Sequence, residues 1–278
     1  MTSELQKRIV TALLLLPALL LAIFTLPSDG LYAVFAVVGS LAAWEWAQLA
    51  GIQGIGRVAY GVAVAALLAL AWWLNVPRLF AAEAFVVWLA AFVLVLVFPS
   101  QMKEWGDTPR HRTVLLLLGV LLLVPAIVCL VQLRALGSLG VYPLIFLFFL
   151  IFAADVGAYF VGKRFGKRKL APLVSPGKSI EGALGGLACS ATLAAVVGPW
   201  VFQLQGAQAS LLVLLAVVTA VFSIVGDLTE SLFKRRMGVK DSSQLLPGHG
   251  GVLDRIDSLI AAGPVFYFGL LHLGLAPL

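Results

Sequence analysis

The sequence predicts an all-α polytopic membrane protein of about nine transmembrane helices, and three observations predict it. Hydrophobic residues make up 62% of the 278 positions, whereas soluble domains run nearer ~45–50%. Charged residues make up 12%, about half the ~25% usual for soluble domains, and the mean hydropathy is +1.05. Breaker clusters also cut the apolar runs into lengths close to the ~20 residues that a helix needs to cross a ~30 Å hydrocarbon core. Little chain remains for a soluble domain.

The spans are expected at 9–26, 31–50, 58–74, 80–98, 114–132, 141–162, 180–203, 209–233 and 252–273. The first follows Lys7-Arg8, but no small-residue cleavage site comes after it, so it reads as a retained helix rather than a signal peptide. Pro27-Ser28-Asp29-Gly30 precedes the second, which ends in Trp44-Glu45-Trp46. Aromatic residues suit the membrane interface, and Glu45 is expected there as an anchor among headgroups. Gly51 to Gly56 opens the way to the third span, and Asn75-Val76-Pro77 to the fourth. Thr108-Pro109 is a cap followed by proline at the first helical position, so the fifth helix starts there. Gly137 to Gly140 separates the fifth span from the sixth, and three further apolar runs complete the set. Cys129 and Cys189 lie within apolar runs and read as small buried hydrophobes, with no CxxC, zinc spacing or disulfide framework.

Orientation follows from where the basic residues fall, because cytoplasmic loops retain Lys and Arg. With the N-terminus inside, the cytoplasmic side carries Lys7, Arg8, Arg57, Lys103, Arg110 and Arg112. It also carries Lys163, Arg164, Lys167, Arg168, Lys169 and Lys178, then Lys234, Arg235, Arg236, Lys240 and Arg255, which is 17 of the 19. Only Arg78 and Arg134 fall outside, so the C-terminus is expected on the periplasmic face. Topology accounts for the net charge of +6 without a nucleic-acid partner.

The two halves differ in character. Residues 1–140 read as a transmembrane scaffold of helices one to five, and 141–278 as a catalytic region of helices six to nine with two basic cytoplasmic loops. The second half holds Asp155, Glu181, Asp227, Glu230, Asp241, Asp254 and Asp257. A carboxylate in a span is costly unless it lines a polar cavity or finds a partner. Asp227 and Glu230 stand three apart on one helical face, with Lys234 four beyond Glu230, and Asp254 and Asp257 repeat the spacing. Acids that crowd together need a cation or protons, and hard oxygen ligands suit magnesium. The competing structural reading is a set of Glu/Lys and Asp/Arg pairs tying helices together.

Two loops suggest phosphate. Lys234-Arg235-Arg236, Lys240-Asp241 and Pro247-Gly248-His249-Gly250-Gly251 precede a helix, where glycines let backbone N–H groups approach an anion and the helix N-terminus favours negative charge. Upstream, Gly162 to Lys169 and Ser175 to Gly182 join glycines and cations to Asp155 and Glu181. The Gly177-Lys178-Ser179 triplet is no Walker A loop, because Pro172 stands where its first glycine belongs and a membrane helix replaces the preceding strand.

These residues resemble the phosphatidate cytidylyltransferases, or CDP-diacylglycerol synthases. The family signature is similar to Ser231, Lys234-Arg235, Lys240-Asp241, Ser243, Leu246-Pro247, His249-Gly250-Gly251 and Asp254-Arg255-Ile256-Asp257, and Asp155 to Gly182 also looks like the family, with Gly177 where a second lysine is usual. The resemblance implies transfer of CMP from CTP to phosphatidic acid, giving CDP-diacylglycerol and pyrophosphate. It implies catalytic roles for Asp227, Lys234, Arg235, Asp254, Arg255 and Asp257. It implies substrate contacts from Asp155, Lys169, Ser175, Lys178, Glu181, Ser231, Lys240, Asp241, His249, Gly250 and Gly251. Magnesium, alone or with a second cation, would be held by Asp227, Asp254 and Asp257. The family further implies a homodimer in the bacterial inner membrane, among membrane lipids, with its active site facing the cytoplasm. Two rival classes are weighed. A CTP-dependent prenol kinase shares acids and cations but not the signature spacing. A secondary transporter usually carries internal repeats and midplane polar residues, and this chain shows neither.

Overall fold

A computed structural model describes residues 4–74, 86–90, 93 and 108–275. Its eight long helices are α1 (Glu4–Thr25), α2 (Ser28–Leu49), α3 (Ile55–Trp73), α4 (Pro109–Arg134), α5 (Tyr142–Phe165), α6 (Ile180–Phe202), α7 (Ala207–Arg236) and α8 (Leu253–His272). Each falls on one of the expected spans. The remaining expected span, 80–98, lies mostly outside the described residues; within it, 86–90 and 93 are described and are helical. Helices α1 to α7 are long and apolar enough to cross a membrane. The chain is therefore a mostly helical, polytopic membrane protein.

The helices outrun their apolar cores at the charged ends. α1 takes in Lys7 and Arg8, and α7 runs on through Lys234, Arg235 and Arg236. At the start of α4, Thr108 accepts the backbone N–H of His111 at 3.3 Å, with Pro109 at the first helical position as expected. The purely helical expectation needs one correction. Between α5 and α6, β1 (Lys169–Ala171) and β2 (Ser175–Ser179) pair antiparallel, with Lys169 opposite Ser179 and Ala171 opposite Ser175. Pro172 sits in their turn, where its missing N–H costs no ladder bond. Ser179 then caps α6 by accepting the Gly182 N–H at 3.1 Å.

The core lies along α4 and α8, where Leu122 to Val131 and Leu259 to Tyr267 are buried without interruption. Helices apolar on every side belong inside a bundle. α1 is the opposite case, exposing Leu13, Leu14, Leu16, Leu21 and Phe24 as a lipid-facing surface. Aromatic side chains use their polar tips to cross-link the helices. Tyr32 donates to the Leu68 carbonyl at 2.6 Å, Trp46 to Leu115 at 2.7 Å and Tyr60 to Leu116 at 2.7 Å. α5 and α6 meet through glycines, since a Cβ on Gly186 would meet the Ala154 carbonyl and one on Gly157 would meet Cys189. Small residues of this kind let membrane helices approach closely. Cys129 is buried as expected, but Cys189 is exposed on the face of α6.

One end of the bundle gathers the basic loops. There the Arg236 guanidinium donates to the Leu49 carbonyl at 3.0 Å and Arg235 to the Val174 carbonyl at 3.3 Å. At the other end, Arg134 donates to the Ile23 and Leu26 carbonyls at 3.3 and 3.4 Å.

Candidate active site

Two facing helices form the floor of the site at the basic end. Gly226 lets α7 and α8 nearly touch, because a Cβ there would fall on the Asp257 carbonyl. Along this seam Lys234 is held twice, its ammonium 2.7 Å from Glu230 and 2.6 Å from Asp254, with only 12% of its side chain exposed. Asp227 receives the Ser231 hydroxyl at 3.2 Å and pairs with Lys178 at 2.5 Å. Asp257 accepts the Ser258 N–H at 2.7 Å and has Asp227 and Lys234 as charged neighbours, with Glu230 close by. Asp155 of α5 stands beside Lys178 and Asp227. Acids and lysines thus alternate across three helices and the hairpin. The pairing expected as the structural alternative, Glu230 with Lys234, is present, yet it belongs to this larger array.

The loop between α7 and α8 is anchored by Glu45, a residue expected from the sequence at the membrane interface. Glu45 is fully buried, not an interfacial anchor. Its carboxylate accepts the Val252 and Leu253 N–H groups at 2.9 and 2.6 Å, and the Ser242 and Ser243 hydroxyls at 3.0 and 2.6 Å. Asp254 reaches back three residues to the Gly251 N–H at 2.7 Å, takes the Ser242 N–H at 2.9 Å and shares the single Ser242 hydroxyl proton with Glu45. The donors at the start of α8, expected to cradle a phosphate, are therefore spent on the protein's own carboxylates. A helix N-terminus favours negative charge whatever its source. A Cβ on Gly251 would collide with Ser242 and Glu45. Gly248 and Gly250 have φ of +75° and +82°, so the turn that returns the Leu246 N–H to the Gly250 carbonyl at 2.8 Å needs glycine at both.

Three cavities meet here. The largest, about 830 Å³, is amphipathic: Leu15 and Leu19 of α1, Phe35, Val38 and Leu41 of α2, and Phe148, Ile151 and Phe152 of α5 line one end. Asp155, Asp227, Ser231, Lys234, Arg235, Lys240, Asp241, Asp254, Arg255 and Asp257 line the other. A second cavity of about 380 Å³ shares Asp155, Asp227 and Ser258 and adds Lys178. A third, about 800 Å³, holds Lys240, Asp241, His249, Gly250 and Arg255 together with Lys7 and Arg8.

Most of the residues singled out in the sequence are thus brought together. Lys169, Ser175, Glu181 and Gly251 line none of the three cavities. Glu181 instead accepts the Lys167 and Arg168 N–H groups at 3.0 and 3.1 Å and the Arg168 side chain at 3.1 Å, which organises the loop before the hairpin. Glu45, Lys7 and Arg8 show that the site draws on residues 1–140 as well. A signal for Glu45 existed, since no Lys or Arg stands within four positions of it. An acid in a span without a local cation needs a distant partner.

The donor set suits a hard divalent cation in chemistry, though not as a cage. Among the described residues, no three His, Cys, Asp or Glu side chains gather closely enough to hold a metal ion. Asp254 is committed to Lys234, Ser242 and Gly251. Asp257 accepts one backbone N–H, and Asp227, its neighbour on the facing helix, would have to share its carboxylate between a cation, Lys178 and Ser231. Magnesium in nucleotide sites typically takes one or two carboxylates plus substrate phosphates, so this pair fits.

Fold and site together define a class: a polytopic membrane protein whose acids and cations converge where an amphipathic cavity meets a basic surface. The cytidylyltransferase family matches residues 6–273, and the chain belongs to that family. It is 51% identical over 267 residues to a protein from Pseudomonas aeruginosa named phosphatidate cytidylyltransferase, covering 94% of this chain and 95% of that one. A protein of the same name from Haemophilus influenzae is 37% identical over 284 residues, with 95% and 98% covered. One from Bacillus subtilis is 43% identical over 142 residues, about half of each chain.

Proposed function

We propose that this protein is a nucleotidyltransferase that moves CMP from CTP to phosphatidic acid, yielding CDP-diacylglycerol and pyrophosphate for phospholipid synthesis. The observation that carries the reading is the amphipathic cavity, whose apolar end suits acyl chains and whose polar end bears the family's signature residues. The similarity to phosphatidate cytidylyltransferases over almost the whole chain supports the same substrates.

A phosphatidate oxygen attacks the α-phosphorus of CTP while the bond to the β-phosphate breaks, and pyrophosphate leaves. The attacking oxygen is already anionic, so the protein has to position two anions and neutralise their charge rather than remove a proton. Lys234 is fixed for this work by Glu230 and Asp254, and Lys178 by Asp227. Arg235, Lys240 and Arg255 line the same cavity and share the charge on the phosphates. Glu45 and Asp254 hold the loop that carries Lys240 and Asp241. Asp227 and Asp257 would hold magnesium together with the substrate phosphates, and the chemistry it would supply is neutralisation of phosphate charge.

The 17 to 2 division of Lys and Arg supports nine spans, an N-terminus inside and a C-terminus outside, with the site on the cytoplasmic face of the bacterial inner membrane. Resemblance to the family supports a homodimer. Purified protein given phosphatidic acid, CTP and magnesium should form a lipid with the mass of CDP-diacylglycerol. A phosphatase fused after Leu278 should be active, and one fused within 163–179 silent. Absence of that lipid product sinks the reaction, and the reverse fusion pattern sinks the orientation.

A further inference from the structure

The first helix supplies topology and a hydrophobic surface, yet its basic end is built into the site. Arg8 donates to the Gly248 carbonyl at 3.0 Å and Thr11 to the Pro247 carbonyl at 2.9 Å. Gly248, at a φ of +75° that favours glycine, packs tightly here, since a Cβ would lie 3.1 Å from the Arg8 backbone nitrogen and 3.2 Å from the Lys7 Cβ. A cation that only directs insertion needs to be on the correct side of the membrane and nothing more. These two are placed against the loop that carries Lys240, His249 and Gly250.

We propose that Lys7 and Arg8 complete a compartment that receives the β- and γ-phosphates of the nucleotide and then the departing pyrophosphate. The cavity they line, about 800 Å³, sets four cations, Lys7, Arg8, Lys240 and Arg255, against one carboxylate, Asp241. Its charge suits a polyphosphate. It shares Lys240, Asp241 and Arg255 with the amphipathic cavity, so a ligand bridging the two passes between those residues. The bridging geometry sorts the substrates. The amphipathic cavity has an apolar end for acyl chains, while the α1 compartment takes the water-soluble portion that must leave. His249 lines the compartment too, and its Nδ1 is buried with no hydrogen-bond partner among the described residues. In the transfer, the α-phosphorus gains a bond to the lipid oxygen and loses its bond to the bridging oxygen, which departs with the two outer phosphates into the α1 compartment. The inference rests on cytidylyl transfer as the reaction.

The test uses the full chain, purified in mixed micelles, as wild type and as Lys7→Gln, Arg8→Gln and Arg8→Lys. Each Gln variant should weaken product inhibition by inorganic pyrophosphate and raise the KM for CTP, both roughly 10-fold, as expected for loss of a charge-assisted contact. The KM for phosphatidic acid should stay unchanged, and Arg8→Lys should retain most of the pyrophosphate inhibition. Because Arg8 also ties α1 to Gly248, Lys7→Gln carries the test if Arg8→Gln melts early or inserts poorly. Unchanged pyrophosphate inhibition in Lys7→Gln overturns the proposal. So does a raised lipid KM with normal inhibition, which would give these cations to the lipid phosphate instead. Calorimetric titration of pyrophosphate into the same proteins without CTP separates the two levels. If wild type transfers no CMP but binds pyrophosphate through Lys7 and Arg8, the reaction is wrong and the compartment stands.

Discussion

Replacing Glu45 by Gln removes a charge and changes one atom, so it isolates what the buried carboxylate does. Each oxygen of Glu45 accepts one backbone N–H and one serine hydroxyl: Leu253 and Ser242 on Oε2, Val252 and Ser243 on Oε1. Glutamine keeps one acceptor and presents an NH₂ to the other pair. The serine there can turn and accept, but the backbone N–H cannot. One buried orphan donor costs about 1–3 kcal/mol. Alanine strands both N–H groups at the start of α8, for about 2–6 kcal/mol before any water fills the gap. The loss is not only of stability, since Ser242 also binds Asp254, which holds Lys234. Melting in detergent should fall in the order wild type, Gln, Ala, and turnover should fall with it, by at least about 10-fold for Ala. Glu45→Asp, one methylene shorter, should lie between wild type and Ala. If both Gln and Ala melt and turn over like wild type, Glu45 is an interfacial anchor after all and the account of the loop is wrong.

Three further outcomes are expected. Lys234→Met leaves Glu230 and Asp254 buried without their shared cation, which should cost about 3–5 kcal/mol and abolish turnover. Adding Glu230→Gln to it should recover part of the melting temperature but none of the turnover. Gly226→Ala puts a methyl group onto the Asp257 carbonyl, so α7 and α8 must part at about 1–3 kcal/mol; activity should drop while Gly238→Ala, in open space, serves as a stability comparison for a glycine with φ of +68°. Asp227→Asn and Asp257→Asn should each lower turnover at least ~100-fold and raise the magnesium needed for half-maximal rate. A chelator should stop wild-type turnover, and full activity in its presence would remove the metal from the mechanism.

The helices were legible because lipid imposes one rule: long apolar runs that satisfy their own backbone. The signature acids and lysines were legible because they lie within about thirty positions of one another on two helices and one loop. What escaped depends on contacts across the chain. Glu45 meets partners about 200 positions away, and its tryptophan neighbours pointed to the interface instead. The glycine-rich turn before α8 suggested an external phosphate, because sequence reveals free N–H groups but not the carboxylates that arrive to bind them. Glu181 was misleading for the same reason, its loop being folded around it by Lys167 and Arg168. The hairpin is too short for periodicity to register, with three residues in β1. Lys7 and Arg8 were explained by topology, and that explanation was sufficient without being complete.

Cytidylyl transfer itself is tested most directly by following two labels. Purified protein is given phosphatidic acid, magnesium and CTP labelled at either the α- or the γ-phosphate. The α label should enter the lipid as CDP-diacylglycerol, with one pyrophosphate released for each molecule formed, and the γ label should appear only in pyrophosphate. A γ label in the lipid would instead identify a kinase. Failure of either label to move, together with solute uptake when the protein is placed in vesicles, would identify a transporter, and each of these results contradicts the account.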